Sequence, residues 1–150
     1  MRQAIALAVD NVKSSRGGPF GAVVVKDRQL VATGVNLVVA TNDPSAHAEV
    51  VAIRAACQVL CTYQLSGCEI YTSCEPCPMC LGAIYWARPA AYYYACTRQH
   101  AAEYGFDDDL IYREIALAAE LRSVPGHCLL TEAGMQPFLE WAQSNRKSLY

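Results

Sequence analysis

The sequence predicts an α/β fold, a three-layer αβα sandwich around a mixed sheet of five strands, formed as a single domain over residues 1–150. The length of 150 residues is that of one ordinary domain. Hydrophobic residues make up 53% of the sequence and charged residues 17%, which is enough for a buried core. Strand and helix patterns alternate after an early pair of strands, and this order favours at least one right-handed parallel crossover.

The first helix is predicted for residues 3–13, because apolar side chains recur at helical spacing before "SSRGGP" (14–19) ends the pattern. The side chains expected on one face are Ile5, Ala8, Val9 and Val12. Two β-branched runs follow, "FGAVVVK" (20–26) and "LVATGVNLVV" (30–39). The short polar stretch between them predicts an antiparallel hairpin.

The middle of the chain predicts a helix at 46–60, a strand at 68–73, a helix at 77–88 and a strand at 90–96. Short connections between these elements favour a parallel pairing of the two strands. The last third predicts further helices and one more strand, in the segments 103–123, 127–133 and 135–145.

Composition and charge exclude several classes of protein. No run of 18 apolar residues is present, so neither a membrane span nor a membrane partner is expected. The N-terminal apolar run is short and is interrupted by Asp10, unlike a secretory signal, and we expect a cytoplasmic protein whose eight cysteines are mostly thiols. The net charge of −2 and the pI of about 5.9 argue against nucleic acid as a partner.

The segment "SCEPCPMC" (73–80) has spacings that suit an iron–sulfur cluster, a thiol redox centre or a metal site. A ferredoxin-type motif needs another cysteine four residues after Cys80, and that position is Ile84. For metal binding, Pro78 suits the first position of a helix, which makes Cys77 the capping residue. Both sulfur atoms can then face one point in front of the helix N-terminus, where partial positive charge favours thiolates.

His47 and Glu49 lie at the predicted start of a helix in "DPSAHAEVVAIRAA" (43–56). Side chains two apart do not face each other within a helix, so both can serve one site only over the helix N-terminus. His47, Cys77 and Cys80 supply three ligands and leave a fourth position for water, as in catalytic zinc sites. We therefore expect one zinc ion per subunit with a bound water as its fourth ligand, and Glu49 as the catalytic proton carrier.

The motifs H-A-E (47–49) and P-C-P-M-C (76–80) resemble the signature of the cytidine deaminase-like superfamily of zinc nucleobase deaminases. Within it, the chain is most similar to the short bacterial guanine deaminases over nearly its whole length. The segments that carry the similarity are "GGPFGAVVVKD" (17–27), "NDPSAHAEVVAIRAAC" (42–57), "YQLSGCEIYTSCEPCPMCLGAIYWARP" (63–89) and "GFDDDLIYREI" (105–115).

The resemblance implies a mixed sheet between helices and the hydrolysis of guanine, a small purine base, to xanthine and ammonia in purine metabolism. It also implies a homodimer in which domain swapping exchanges the C-terminal segments, including "MQPFLEWAQSNRKSLY" (135–150). The substrate-binding residues that it implies are Phe20 and Trp86 beside the ring, Asn36 and Asp108 on its polar edges, and Tyr150 from the exchanged tail. For Asp108 the resemblance leaves two roles open: it relays protons as well, or it only binds the base. Taken alone, the acidic run around Asp108 is more typical of a solvated helix start.

Three other functions stay open at this stage. A tRNA adenosine deaminase shares the H-A-E and P-C-x-M-C motifs but needs phosphate contacts, which an acidic chain disfavours. A cytosine or cytidine deaminase shares the zinc chemistry. A structural zinc-binding interaction module needs a fourth protein ligand, for which Cys74 is the only close candidate.

Overall fold

A computed structural model describes residues 1–106 and 108–148. The chain divides into two compact units, Met1–Asp108 and a second that begins at Asp109. The single domain over residues 1–150 stays a prediction. The elements of the first unit are α1 (Arg2–Lys13), β1 (Gly21–Lys26), β2 (Gln29–Val35), α2 (Val38–Thr41), α3 (Ala48–Leu60), β3 (Cys68–Cys74), α4 (Pro78–Ala87), β4 (Ala91–Cys96) and α5 (Arg98–Ala102).

The sheet has the order β2-β1-β3-β4 and is mixed, as the sequence predicts. Strand β1 pairs antiparallel with both β2 and β3, whereas β4 pairs parallel with β3. The parallel pair is joined through α4, which confirms the predicted crossover. The predicted hairpin is also present, although its second strand ends at Val35 and the predicted continuation turns into the short helix α2.

The prediction of five strands is wrong for the part of the chain that the structure describes, where the sheet has four. In the last third, 124–130 has neither helix nor strand and Thr131–Gly134 forms a helical turn. Leu129 and Leu130 are more than 80% exposed. An apolar run becomes a strand only where a neighbouring strand accepts its backbone hydrogen bonds, and the run at 127–130 has no such partner.

Three layers are present in the first unit. The even-numbered residues Ala22 and Val24 of β1 pack toward α3, whereas Gly21 lies against α1 on the other face of the sheet. This alternation follows from the two-residue period of a strand. The core between sheet and helices consists of Ala22, Val24, Ala32, Ala48, Ala52, Ile53, Ala56, Leu65, Cys68, Ile70, Ile84 and Ala87.

Helix α1 buries a different face from the predicted one. Its buried residues are Ala4, Ala8 and Asn11, while the bulkier Ile5, Val9 and Val12 are exposed. The reason is the close approach of α1 to the sheet, since a Cβ atom on Gly21 would lie 2.4 Å from the Ala4 carbonyl oxygen. Only small or polar-paired side chains fit on a helix face that is this close to a strand.

The second unit contains α6 (Asp109–Ile115), a 3-10 turn (Ala119–Leu121), α7 (Thr131–Gly134) and α8 (Gln136–Gln143). None of its described residues, 109–148, is buried. Its large apolar side chains, among them Phe138, Leu139 and Trp141, are therefore exposed. Among the described residues of the chain, no helix combines the length and the apolar character needed to cross a membrane.

Substitution of Gly34 by alanine tests the packing of α3, the helix that carries His47 at its start. The new Cβ atom would lie 2.2 Å from the Ala48 carbonyl oxygen and 2.5 Å from the Ala52 nitrogen, both backbone atoms. We expect overpacking to lower the free energy of unfolding by about 1–3 kcal/mol in urea denaturation. The control is Gly82→Ala in α4, where the Cβ meets nothing within 4 Å and helix propensity adds about 0.5–1 kcal/mol. Equal stability of the two variants would contradict this packing.

Candidate metal centre and active site

The start of α4 has the predicted geometry. Cys77 is the N-terminal capping residue in an extended conformation, with φ −65° and ψ 168°, and Pro78 occupies the first helical position. The Cys77 carbonyl accepts the first helical hydrogen bond, from the Leu81 N–H at 2.8 Å. Because proline has a fixed φ and no N–H to satisfy, it starts the helix at this residue.

The start of α3 is built in the same way. His47 is the capping residue, with φ −70° and ψ 155°, and its carbonyl accepts from the Val51 N–H at 2.9 Å. Neither His47 nor Cys77 makes a side-chain capping hydrogen bond. The cap position lets His47 serve the same site as Glu49, which lies in the first turn, as the sequence argument requires.

His47, Cys77 and Cys80 converge on one point, with one ligand atom from each residue within 4.8 Å of the others. The Nδ1 atom of His47 lies 3.6 Å from the Cys77 Sγ and 3.5 Å from the Cys80 Sγ. Tetrahedral zinc with Zn–S of about 2.3 Å and Zn–N of about 2.0–2.1 Å needs an N···S separation of about 3.6 Å. The spacing and the chemistry of these donors fit zinc.

Proton sharing within this cluster favours the ligating form of one thiol. The Cys80 thiol hydrogen-bonds the Cys77 sulfur, and together with His47 this lowers the pKa of Cys77 to about 4. The same hydrogen bond to Cys77, with burial, raises the pKa of Cys80. The Cys77 thiolate in turn raises the pKa of His47. Metal binding therefore has to displace the Cys80 proton and any proton on His47.

Glu49 is 5% exposed and lies beside this cluster. The Thr72 hydroxyl donates to its Oε1 atom at 3.1 Å, and the side chain also hydrogen-bonds Cys80. Burial raises the pKa of the Glu49 carboxyl. A buried carboxyl with a raised pKa next to a metal-ligand cluster is suited to accept and return a proton near neutral pH.

Three of the predicted substrate-binding residues lie in the first unit near polar or aromatic partners. Asn36 is buried, and its Oδ1 accepts from the Gly18 N–H at 3.4 Å. Phe20 contacts Phe106 edge to face, with ring centroids 4.9 Å apart. Asp108 is half-buried, and its negative charge contributes less than the Cys77 sulfur to the raised pKa of His47.

The other two predicted substrate-binding residues are placed differently or not at all. Trp86 is 64% exposed near the C-terminal end of α4. It lies six positions after Cys80, which is about 9 Å of helix. Tyr150 lies outside the described residues. The roles of all five residues stay predictions.

Cys74, the candidate for a fourth protein ligand, is not a member of the cluster among the described residues. Its Sγ lies 3.6 Å from the Thr97 carbonyl oxygen. Burial raises the pKa of the Cys74 thiol to about 11. The cluster therefore has three protein ligands among the described residues, which is the number typical of catalytic zinc sites.

Two residues of the site were missed by the sequence argument. Thr72 orients Glu49, and the Ser73 hydroxyl accepts from the Gly21 N–H at 3.0 Å, which ties β3 to the segment that follows Phe20. Strand alternation in "CEIYTSC" (68–74) places Thr72 on the same face as the buried Ile70 and could have identified it.

Comparison with known proteins agrees with this geometry. Residues 1–96 match the family model described as the cytidine and deoxycytidylate deaminase zinc-binding region. Guanine deaminase of Bacillus subtilis (strain 168) is 53% identical over 150 residues, covering 100% of this chain and 96% of that protein. The tRNA-specific adenosine deaminase of Aquifex aeolicus (strain VF5) is 44% identical over 70 residues, covering 47% of this chain and 46% of that protein.

Two solved structures of guanine deaminases are similar to this chain. The crystal structure of guanine deaminase from Bacillus subtilis superposes with a TM-score of 0.97 at 53% identity, covering 99% of this chain and 95% of that one. Guanine deaminase from Nitrosomonas europaea gives a TM-score of 0.67 at 35% identity, covering 71% of this chain and 62% of that one.

The reactivity of Cys74 tests whether it is a buried thiol. At pH 8 a thiol with a pKa of about 11 is almost entirely protonated, so we expect iodoacetamide to leave Cys74 unmodified in the folded protein. The exposed Cys61 serves as the internal control and should be alkylated under the same conditions. Peptide mass spectrometry measures both positions. Alkylation of Cys74 at the rate of Cys61 would contradict its buried environment.

Proposed function

The chain belongs to the cytidine and deoxycytidylate deaminase family of zinc-binding proteins, and from this we propose that it is a zinc-dependent guanine deaminase. The reaction is the hydrolysis of guanine with water to xanthine and ammonia. The observation that carries the proposal is the three-ligand cluster beside the buried Glu49. The full-length similarity to a guanine deaminase selects the substrate.

His47, Cys77 and Cys80 would hold the metal, one zinc ion per subunit with a water molecule as fourth ligand. Zinc held by these residues would lower the pKa of a bound water toward neutrality and would so supply a nucleophile for the amine-bearing carbon of the base. The Cys80 backbone N–H in the first turn of α4 hydrogen-bonds the Cys77 sulfur and, with the partial positive charge of the helix start, stabilises its thiolate.

Glu49 is proposed to carry the proton. Its carboxylate would take one proton from the attacking water and deliver it to the ring nitrogen, and would then take the proton of the added hydroxyl and deliver it to the amine, which leaves as ammonia as the C–N bond breaks and the carbonyl forms. The hydrogen bond from Thr72 to the Glu49 Oε1 restricts the orientation of the carboxylate beside the cluster. Burial, which raises the pKa of Glu49, makes the return of the proton easier.

The purine base is proposed to lie between the metal cluster and the segments that carry Phe20 and Asn36. Phe20 supplies an apolar ring, and the buried Asn36 amide selects against bases with the wrong donor pattern. Asp108 is assigned by resemblance to the polar edge of the base or to a proton relay. Trp86 and Tyr150 are assigned by resemblance alone.

The biological unit is proposed to be a homodimer that exchanges C-terminal segments, in the cytoplasm. Support comes from the second unit, whose described residues carry large apolar side chains and no buried residue. Apolar side chains such as Phe138 and Trp141 need a partner surface in water. A tRNA deaminase has less support, since the similarity to the tRNA-specific adenosine deaminases of Aquifex aeolicus and Haemophilus influenzae covers 47% and 59% of this chain, against 100% for the guanine deaminase of Bacillus subtilis.

Glu49→Gln tests the proton carrier. The amide keeps the size of the side chain but does not accept the water proton, so we expect kcat on guanine to fall by about 10²–10⁴-fold while zinc content is unchanged. Xanthine formation followed by ultraviolet absorbance and zinc measured by mass spectrometry give the two readouts. Glu69→Gln is the matched control, because Glu69 lies on the same strand as Thr72 and accepts from Tyr71 outside the cluster. Normal turnover of a zinc-loaded Glu49→Gln enzyme would refute this role.

Co-expression of two inactive variants tests the exchange of the C-terminal segment. In a mixed dimer of Glu49→Gln and Tyr150→Ala chains, exchange gives one site that contains an intact Glu49 and an intact Tyr150. We expect purified mixed dimers, selected with two affinity tags, to recover about half of the wild-type activity per dimer. Mixed dimers as inactive as their parents would show that each tail serves its own subunit.

A further inference from the structure

Asn11 is a polar residue on the buried face of α1, and it is fully buried. Its Nδ2 group donates two hydrogen bonds, one to the Gly18 carbonyl and one to the Asn36 carbonyl, each 2.9 Å long. Its Oδ1 atom is buried and has no hydrogen-bond partner among the described residues. One side chain of α1 thus joins two separate segments that lie near the site.

The two carbonyls that Asn11 holds belong to a small network around the proposed base site. The Gly18 carbonyl also accepts from the Phe20 N–H at 2.8 Å, and the Phe20 carbonyl accepts from the Asn36 N–H at 3.1 Å. The Gly18 N–H in turn donates to the Asn36 side chain. A Cβ atom on Gly17 would lie 2.3 Å from the Asn36 carbonyl oxygen, which shows how closely these segments approach.

This network fixes the orientation of the Asn36 amide. The Asn36 Oδ1 atom accepts from the Gly18 N–H. The Nδ2 group of Asn36 is therefore the part of the amide that can donate to an acceptor atom on the base. Movement of the segment 17–20 would break the hydrogen bonds that fix the Asn36 side chain and would shift Phe20. Asn11 is the residue that ties this segment to the helix.

A packing role alone does not account for asparagine at this position. Asparagine is a poor helix former, and an unpaired buried acceptor destabilises the fold. The neighbouring buried positions of the same helix face, Ala4 and Ala8, are small and apolar. Residues that oppose the local preference for helix formation and apolar burial, as Asn11 does, occur where a functional site needs a particular geometry.

We infer that Asn11 is a positioning residue for substrate recognition, acting through the backbone of Asn36 and Gly18. This inference rests on the function proposed above. Asn11 does not touch the metal ligands, so its loss should weaken binding of the base and leave zinc content and the chemistry at Glu49 largely intact.

A double-mutant cycle with Asn11→Asp and Asn36→Ala tests this inference. Aspartate keeps the shape of the side chain and loses the two amide donors, so we expect kcat/KM for guanine to fall by about tenfold, mainly through KM. In the Asn36→Ala background the same substitution should lower kcat/KM by clearly less than tenfold, because the Asn36 amide that Asn11 orients is already absent and only the position of Phe20 can still change. Equal, additive losses in the two backgrounds would overturn the inference, as would loss of zinc in Asn11→Asp.

Two further variants separate positioning from stability. Val9→Gly weakens the exposed face of α1 without touching residues 17–20, so it should lower the melting temperature and leave KM unchanged. If Asn11→Asp does not fold, Asn11→Ser keeps one donor at lower volume and is carried through the same cycle. Deamination of another base and not of guanine by the wild-type chain would refute the proposed function. The same double-mutant cycle, measured with that other base, would then still test the role of Asn11.

Discussion

The site depends on two helix N-termini that meet at one point. His47 caps α3 and Cys77 caps α4, both with extended backbone conformations and without a side-chain capping hydrogen bond. At most helix starts the capping side chain satisfies the exposed N–H groups. Here both side chains belong instead to the metal cluster, so the partial positive charge of two helices remains directed at the thiolates.

The strand order of the sheet brings the N-termini of α3 and α4 together. Strands β2 and β3 both pair antiparallel with β1 and therefore run in the same direction, and the chain enters α3 after β2 and α4 after β3. Both helices consequently begin at the same edge of the sheet. Gly34 lets α3 lie against β2, and the alternation of β3 brings Thr72 under Glu49. The core thus holds the His47, Cys77 and Cys80 cluster and the proposed proton carrier Glu49 in register.

Local signals in the sequence predicted much of this arrangement. Proline at the first helical position fixed the start of α4, and the spacing of His47 and Glu49 indicated a site over a helix N-terminus; both geometries are present. The buried face of α1 was predicted wrongly, because periodicity counts apolar side chains and does not reveal a close approach that admits only small ones. Asn11 was missed for the same reason. The fifth strand was predicted from composition, whereas a strand depends on a partner that lies elsewhere in the chain or in another subunit. The exchange of the tail and the role of Tyr150 depend on a second chain, and they rest on resemblance.

Substrate identity is the central claim, and its most direct measurement is ammonia release by the zinc-loaded protein from a panel of bases. The panel contains guanine, guanosine, adenine, cytosine, cytidine and an adenosine-containing anticodon stem-loop, with ultraviolet spectra to identify each product. The account predicts xanthine and ammonia from guanine and no reaction with the others. Deamination of the stem-loop, of cytosine or of cytidine, with guanine unchanged, would contradict it.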